Sequence, residues 1–197
     1  MNTNLLSVGM NRKLDKYIAV CNLPSHKTCP GKTKICSKIC YATKSERIYG
    51  YKVNNKRRLV FEESLKDTFV EKIISELKNM SHITRVRLHE SGDFYSQKYL
   101  DKWIKIAKAL PHITFLAYTR SFNLDFSDRP KNFIVYWSFD ASTKTKVPKG
   151  RTAKLVLKDE TPPKNAVTCK HKSRYNYCGR ECHICWKGAK NVYFIQH

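Results

Sequence analysis

Residues 83–94 read ITRVRLHESGDF, a short β-like run from Ile83 to Leu88 that ends in the polar cluster His89-Glu90-Ser91-Gly92-Asp93. The same order, apolar strand and then polar tip, recurs in ITFLAYTRS (113–121) and NFIVYWSFDAS (132–142). A weaker copy is AKLVLKDE (153–160), and VYFIQH (192–197) closes the series. Helical stripes lie between the first copies. Residues 57–79 place Leu65, Phe69, Ile73 and Leu77 at four-residue steps, and residues 96–110 put Tyr99, Trp103, Ile106 and Leu110 on one face before Pro111. Strands alternating with helices imply right-handed βα units and a mainly parallel sheet. The expected fold is α/β: a partial or open β/α barrel with mainly parallel strands, and Cys-rich loops at both chain ends. At roughly 150 residues per domain, the 197 residues make a single domain. Within it we expect an N-terminal Cys-rich segment (1–56), a β/α body (57–160) and a C-terminal Cys-rich segment (161–197).

In such folds the reactive groups lie at the carboxyl ends of strands. The tips 89–93, 118–121 and 138–142 are therefore expected to gather on one rim. Glu90, Asp93, Tyr118 and Arg120 are the catalytic candidates there, and Ser91, Gly92 and Ser138 the cofactor-binding ones. Glu90 and Asp93 could coordinate a cofactor amine or a metal, or exchange a proton. Gly92 would let the backbone approach a ligand or cluster closely. The plainer reading makes Asp93, Ser96, Ser121 and Ser142 helix N-caps.

The eight cysteines fall in two groups, with none between Cys40 and Cys169. The first is Cys21, Cys29, Cys36 and Cys40; the second is Cys169, Cys178, Cys182 and Cys185. The first 22 residues contain no uninterrupted apolar core of an export signal, and no run of about 18 apolar residues exists. A cytoplasmic location follows, where disulfides are rare and clustered thiols point to metal ligation. Cys36-x3-Cys40 and Cys182-x2-Cys185 let one turn of chain bring two thiolates to a common metal. Structural zinc favours two facing C-x2–4-C knuckles. The irregular gaps here favour an iron–sulfur cluster, 4Fe-4S foremost, with zinc as the alternative. His26, His171 or His183 could replace a thiolate, and Cys169 could complete either site. Cys178-x3-Cys182-x2-Cys185 also has the C-x3-C-x2-C form of radical S-adenosylmethionine enzymes, although their motif lies near the N-terminal end.

TCPGKTKICSKICYA (28–42), ESGDF (90–94), AYTRS (117–121) and CGRECHICW (178–186) together resemble the bacteriophage gene product 88 family. That family is found on phages and mobile elements and is similar to barrel-type iron–sulfur proteins, including those of the radical S-adenosylmethionine type. The resemblance matches Cys29, Cys36 and Cys40 to its first cysteine motif, and Cys178, Cys182 and Cys185 to its last. Cys21 lies outside the first motif. Cluster binding is what the resemblance implies, in the host cytoplasm for a phage-encoded protein; it supplies no reaction.

Lys+Arg number 38 against 16 Asp+Glu, a formal net charge of +22. A polyanionic partner is expected, nucleic acid before an anionic membrane surface. Basic clusters at 52–58, 144–151 and 170–174 are interleaved with Tyr49, Tyr51, Tyr175 and Tyr177, the combination that binds phosphates and stacks bases. Arg57, Arg58, Lys172 and Arg174 are the nucleic-acid candidates; an ordinary Lys-rich surface is the alternative. Three functions remain open. One is an iron–sulfur redox or radical S-adenosylmethionine-like enzyme acting on nucleic acid or a nucleotide, with or without a redox partner. Another is a zinc- or cluster-stapled nucleic-acid-binding module without catalysis. The third is a cluster-based sensor.

Overall fold

A computed structural model describes residues 4–9, 11, 13–169, 177–189 and 191–196. Near the N-terminus lie β1 (Ser7–Val8), β2 (Ile18–Cys21), the short α1 (Lys34–Lys38) and α2 (Tyr41–Leu65). The body follows with α3 (Phe69–Asn79), β3 (Arg85–Leu88), α4 (Gln97–Ala109), β4 (Thr114–Thr119), β5 (Phe133–Phe139) and β6 (Thr152–Val156). Last come β7 (Val167–Thr168), a turn at Tyr177–Glu181 and β8 (Asn191–Ile195).

All eight strands form one sheet in the order β1-β2-β3-β4-β5-β6-β8-β7. Every pairing is parallel except that of β1 with β2. The strands read from residues 83–160 are thus present, but in that span a helix, α4, separates only β3 from β4, and the sheet is open with β1 and β7 at its edges.

The two-residue alternation of the strands divides the core into two. Val86, Phe115 and Phe133 lie side by side in register, and with Ala19, Cys21, Leu88 and Ala117 they pack against α3 and α4. Phe69, Ile73 and Leu77 from α3 and Tyr99, Trp103 and Ile106 from α4 fill that layer. The opposite face carries Ile18, Leu116, Tyr136, Ala153 and Val192, and residues 178–189 cover it through Trp186, Ile184, Cys185 and Ala189.

The helix expected over 57–79 is interrupted. Its backbone leaves the helix at Lys66 (ψ 150), so Leu65 is 55% exposed and falls outside the stripe. A helix end leaves carbonyls without partners. Here the buried Lys102 ammonium of α4 donates to Ser64 O at 2.9 Å and Lys66 O at 2.6 Å, closing the break from inside the core. Of the four expected caps, Ser96 serves as one, its Oγ accepting the Tyr99 N–H that opens α4.

Candidate functional site

The three polar tips do meet, at the carboxyl ends of β3, β4 and β5. Asp93 is buried and accepts hydrogen bonds from the Thr119 hydroxyl (2.6 Å), the Arg120 N–H (2.8 Å) and the Phe94 N–H (2.7 Å). It bridges strand tips rather than capping a helix. Arg120 reaches sideways to Asp140 Oδ2 at 2.9 Å. The same oxygen accepts the Thr33 hydroxyl at 2.6 Å, while Asp140 Oδ1 accepts from the Ser142 N–H and hydroxyl. Ser142 Oγ in turn accepts the Ile35 N–H at 3.2 Å. Asp140 therefore knots the first cysteine loop to two strand tips. Burial works against its charge, but the donors from Thr33 and Ser142, with Arg120, outweigh it and hold the carboxyl below its ordinary range.

Over this knot lie Cys29, Cys36 and Cys40. Thr28 O accepts the Asp93 N–H at 3.0 Å, Thr33 caps α1 by accepting the Cys36 N–H, and Cys40 precedes α2. Gly31 marks the closest approach: a Cβ there would fall 2.1 Å from Arg120 O, so only a residue without a side chain lets the loop seat on β4. Burial foremost, with Asp93, Cys36 and Cys40 beside it, pushes the Cys29 thiol up to about 12. Burial also raises Cys36, against the pull of the Arg120 guanidinium. One nitrogen of that guanidinium, Nη1, is buried without a hydrogen-bond partner.

The second cysteine group lies on the sheet face opposite the helices. The Cys178 N–H donates to Lys13 O, and Cys178 O accepts the Asp15 N–H. Gly179 donates to Cys182 O at 2.9 Å, folding the motif back on itself. A Cβ on Gly179 would lie 2.5 Å from the Ile18 side chain. The Trp186 indole N–H donates to Cys178 Sγ at 3.4 Å, and the Tyr118 hydroxyl hydrogen-bonds Cys185. Burial pushes Cys185 up to about 11, and Cys178 and Cys182 act on it as well, with Arg87 opposing them. Arg87 lies over the Tyr118 ring at 4.3 Å, and Arg85 donates to Gly179 O at 2.8 Å. Among the described residues neither arginine is paired with a carboxylate.

Other candidates are placed elsewhere. Glu90 accepts from the Asn11 amide with its side chain and from the Tyr41 hydroxyl with its carbonyl. Ser91 is buried, its N–H bonded to Asn22 Oδ1 and its hydroxyl to Leu23 O. Gly92 (φ +85) does permit a close approach, but of the chain's own Leu23 and Thr28, each within 2.6 Å of a Cβ built there. Ser138 is half-buried, beside Ala153 of β6. Cys21 is fully buried on the helix face, where the charged groups acting on its thiol are Glu76 and Lys56. The strand alternation thereby places it on the sheet face opposite the second triad. Cys169 follows β7 and donates its N–H to Tyr193 O.

Arg57 is a correction. It is 7% exposed and clamps Glu46 at 2.8 Å, Ala42 O at 3.2 Å and Ser45 Oγ at 3.0 Å, so its guanidinium braces α2 instead of offering a phosphate contact. Arg58 is exposed and paired with Glu62. Lys172 and Arg174, with His171 and Tyr175, lie outside the described residues. Sequence reasoning missed Thr33, Arg85, Arg87 and Trp186. Two arginines inside a parallel strand were the readable signal for the middle pair, since the faces of such strands are normally apolar.

Cys21, Cys29, Cys36, Cys40, Cys178, Cys182 and Cys185 are free thiols. Among the described residues, no three His, Cys, Asp or Glu side chains converge closely enough to hold a metal ion. Nor is any described helix long and apolar enough to cross a membrane.

Comparison with known proteins gives a consistent answer. The Gene 88 protein of Mycobacterium phage L5 is 25% identical over 196 residues, covering 85% of this chain and 81% of the relative. The Gene 88 protein of Mycobacterium phage D29 is 23% identical with the same coverage. No solved structure matches. The family model described as Gene product 88 matches residues 1–191, a span that includes both triads and the rim, and the chain belongs to that family.

Proposed function

We propose that this protein binds iron–sulfur clusters, 4Fe-4S foremost, and works as a redox or radical S-adenosylmethionine-type enzyme on nucleic acid or a nucleotide. The observation that carries the reading is the second triad: Cys178 and Cys185 receive donors from Trp186 and Tyr118, and Arg87 acts on both. Hydrogen bonds to sulfur and neighbouring cations are what thiolate ligands of a cluster use. Arg85 and Arg87 are half-buried and form no ion pair with a carboxylate among the described residues, which leaves room for anionic sulfur as their partner. Cys178, Cys182 and Cys185 would hold one cluster, and Cys29, Cys36 and Cys40 a second at the rim. A bound cluster supplies one-electron chemistry, and with an open iron it could engage S-adenosylmethionine. The rim residues Asp93, Arg120 and Asp140 hold the first loop in register with the strand tips. The sequential strand order from β2 to β6 suits a β/α barrel left open along one seam.

One observation favours a cluster- or zinc-stapled module without catalysis. Asp93 and Asp140 are spent on internal hydrogen bonds, which makes them braces. Anaerobic purification followed by iron, sulfide and zinc analysis, with visible and electron-paramagnetic spectra, separates the readings. Iron with acid-labile sulfide, diminished in Cys182→Ser, is the expected result. A colourless zinc protein overturns it. 5′-Deoxyadenosine formed from S-adenosylmethionine by the reduced protein would identify radical chemistry.

A further inference from the structure

Helix α2 carries the most exposed group of large apolar side chains in the described chain. Ile48 is 63% exposed, Tyr49 66% and Tyr51 80%. Rings of this size are normally drawn into a core or an interface, and scattered exposed ones need no account. These are consecutive, and they surround a break: Gly50 (φ 52, ψ −131) leaves the helical conformation, dividing α2 between Tyr49 and Tyr51. Among the described residues nothing hydrogen-bonds to or stacks on either ring.

Charge identifies the occupant. Between Tyr41 and Arg58 stand Lys44, Arg47, Lys52, Lys56, Arg57 and Arg58 against one acid, Glu46. Glu46 is turned inward, accepting from Arg57, from the Ser25 N–H and from the Ser25 hydroxyl. Lys44, Arg47 and Lys52 are exposed along the same helix. A second copy of a chain carrying +22 would be repelled from this face, whereas a polyanion is drawn to it. Exposed aromatic rings on a helix lined with cations form a surface that stacks unpaired bases while tracking their phosphates.

We propose that the Tyr49–Gly50–Tyr51 break of α2 is a stacking platform for single-stranded nucleic acid, with Lys44, Arg47 and Lys52 holding the phosphates. This rests on the nucleic-acid reading above and relocates it from Arg57. Its strand would run along α2, whose first turn follows Cys40 of the first triad.

The test is fluorescence anisotropy of the full chain with a labelled 20-mer of deoxythymidine, its duplex with deoxyadenosine, and vesicles containing phosphatidylserine. The single strand should bind the wild type with an affinity that falls steeply with salt. Y49A/Y51A should weaken it on the order of tenfold per ring, and Y49F/Y51F should restore it because stacking needs no hydroxyl. Duplex binding should change less. Both rings are solvent-exposed, so the alanine variant should keep the wild-type circular dichroism melt. If the wild type binds no oligonucleotide at low salt, the nucleic-acid reading and the platform fall together. If it binds and Y49A/Y51A binds equally well, the platform alone is overturned. Loss of vesicle binding with unchanged single-strand binding would make the surface a membrane contact and overturn it too.

Discussion

The two cysteine groups are seated by opposite means. The first is a polar lid: Thr28, Thr33 and Ile35 hydrogen-bond to Asp93, Asp140 and Ser142 at the tips of β3 and β5. The second is largely an apolar plug: Ile184, Trp186 and Ala189 press onto Ile18, Leu116 and Tyr136, and arginines and a tyrosine meet the thiols from beneath. What they share is a glycine at the point of contact, Gly31 on Arg120 and Gly179 on Ile18. Cysteine spacing therefore does not reveal how a loop is seated; the surface each loop is built on decides what perturbs it.

Complete separation of the two groups would have the largest effect. If each triad holds its own cluster, Cys36→Ser should remove the iron of the rim group only, and Cys178→Ser that of the plug only, each lowering iron per chain by about half. Loss of all iron in either variant would mean one shared centre. Next is the knot. Asp140→Ala removes the partner of a nearly buried guanidinium and should destabilise the fold by about 3–5 kcal/mol, read from denaturant unfolding. A loss below about 1 kcal/mol would show that the lid floats free of β5.

The polar lid should also respond to pH where the plug does not. Burial outweighs three hydrogen-bond donors and raises the Asp93 carboxyl from 3.8 to about 6. Between those values the folded chain holds a proton that the unfolded chain has released. Stability attributable to Asp93 is thus greatest below about pH 4 and falls as pH rises to about 6, by about 3 kcal/mol in all. Asp93→Asn should flatten that slope in a comparison of melts across the window. Gly31→Ala should cost about 1–3 kcal/mol, since its methyl collides with a backbone carbonyl that a rotamer change cannot move. The smallest effect belongs to Cys21→Ala: about 1 kcal/mol of lost core packing, with metal content unchanged. Reduced metal content there would return Cys21 to a ligand set.

β4 and β5 were legible because each is an apolar run ending abruptly in polar residues, the pattern a parallel strand leaves when both faces are covered. The rim followed from that, and Asp93 and Arg120 are indeed on it. β1 and β7 are two residues long and leave no period to read. The first half of α2 escaped for a different reason. Only Ala42, Arg57, Val60 and Ser64 are buried along its whole length, so it has no apolar stripe. Arg57 misled because a cluster of basic residues does not reveal which member turns inward to meet Glu46. Neither could spacing disclose that Cys21 belongs to the helix-side core, since a four-residue strand buried throughout offers no alternation of burial by which to assign its faces.

The bridge between Leu14 and Cys178 joins residues separated by most of the chain. Closing so long a loop is costly in chain entropy, and contacts of this kind form late in folding. A metal gripping Cys178, Cys182 and Cys185 would act on the loop at its seam, like a clasp on a belt. Loading the centre and finishing the fold would then become one event, and chelation should loosen the N-terminal strands as readily as the C-terminal loop.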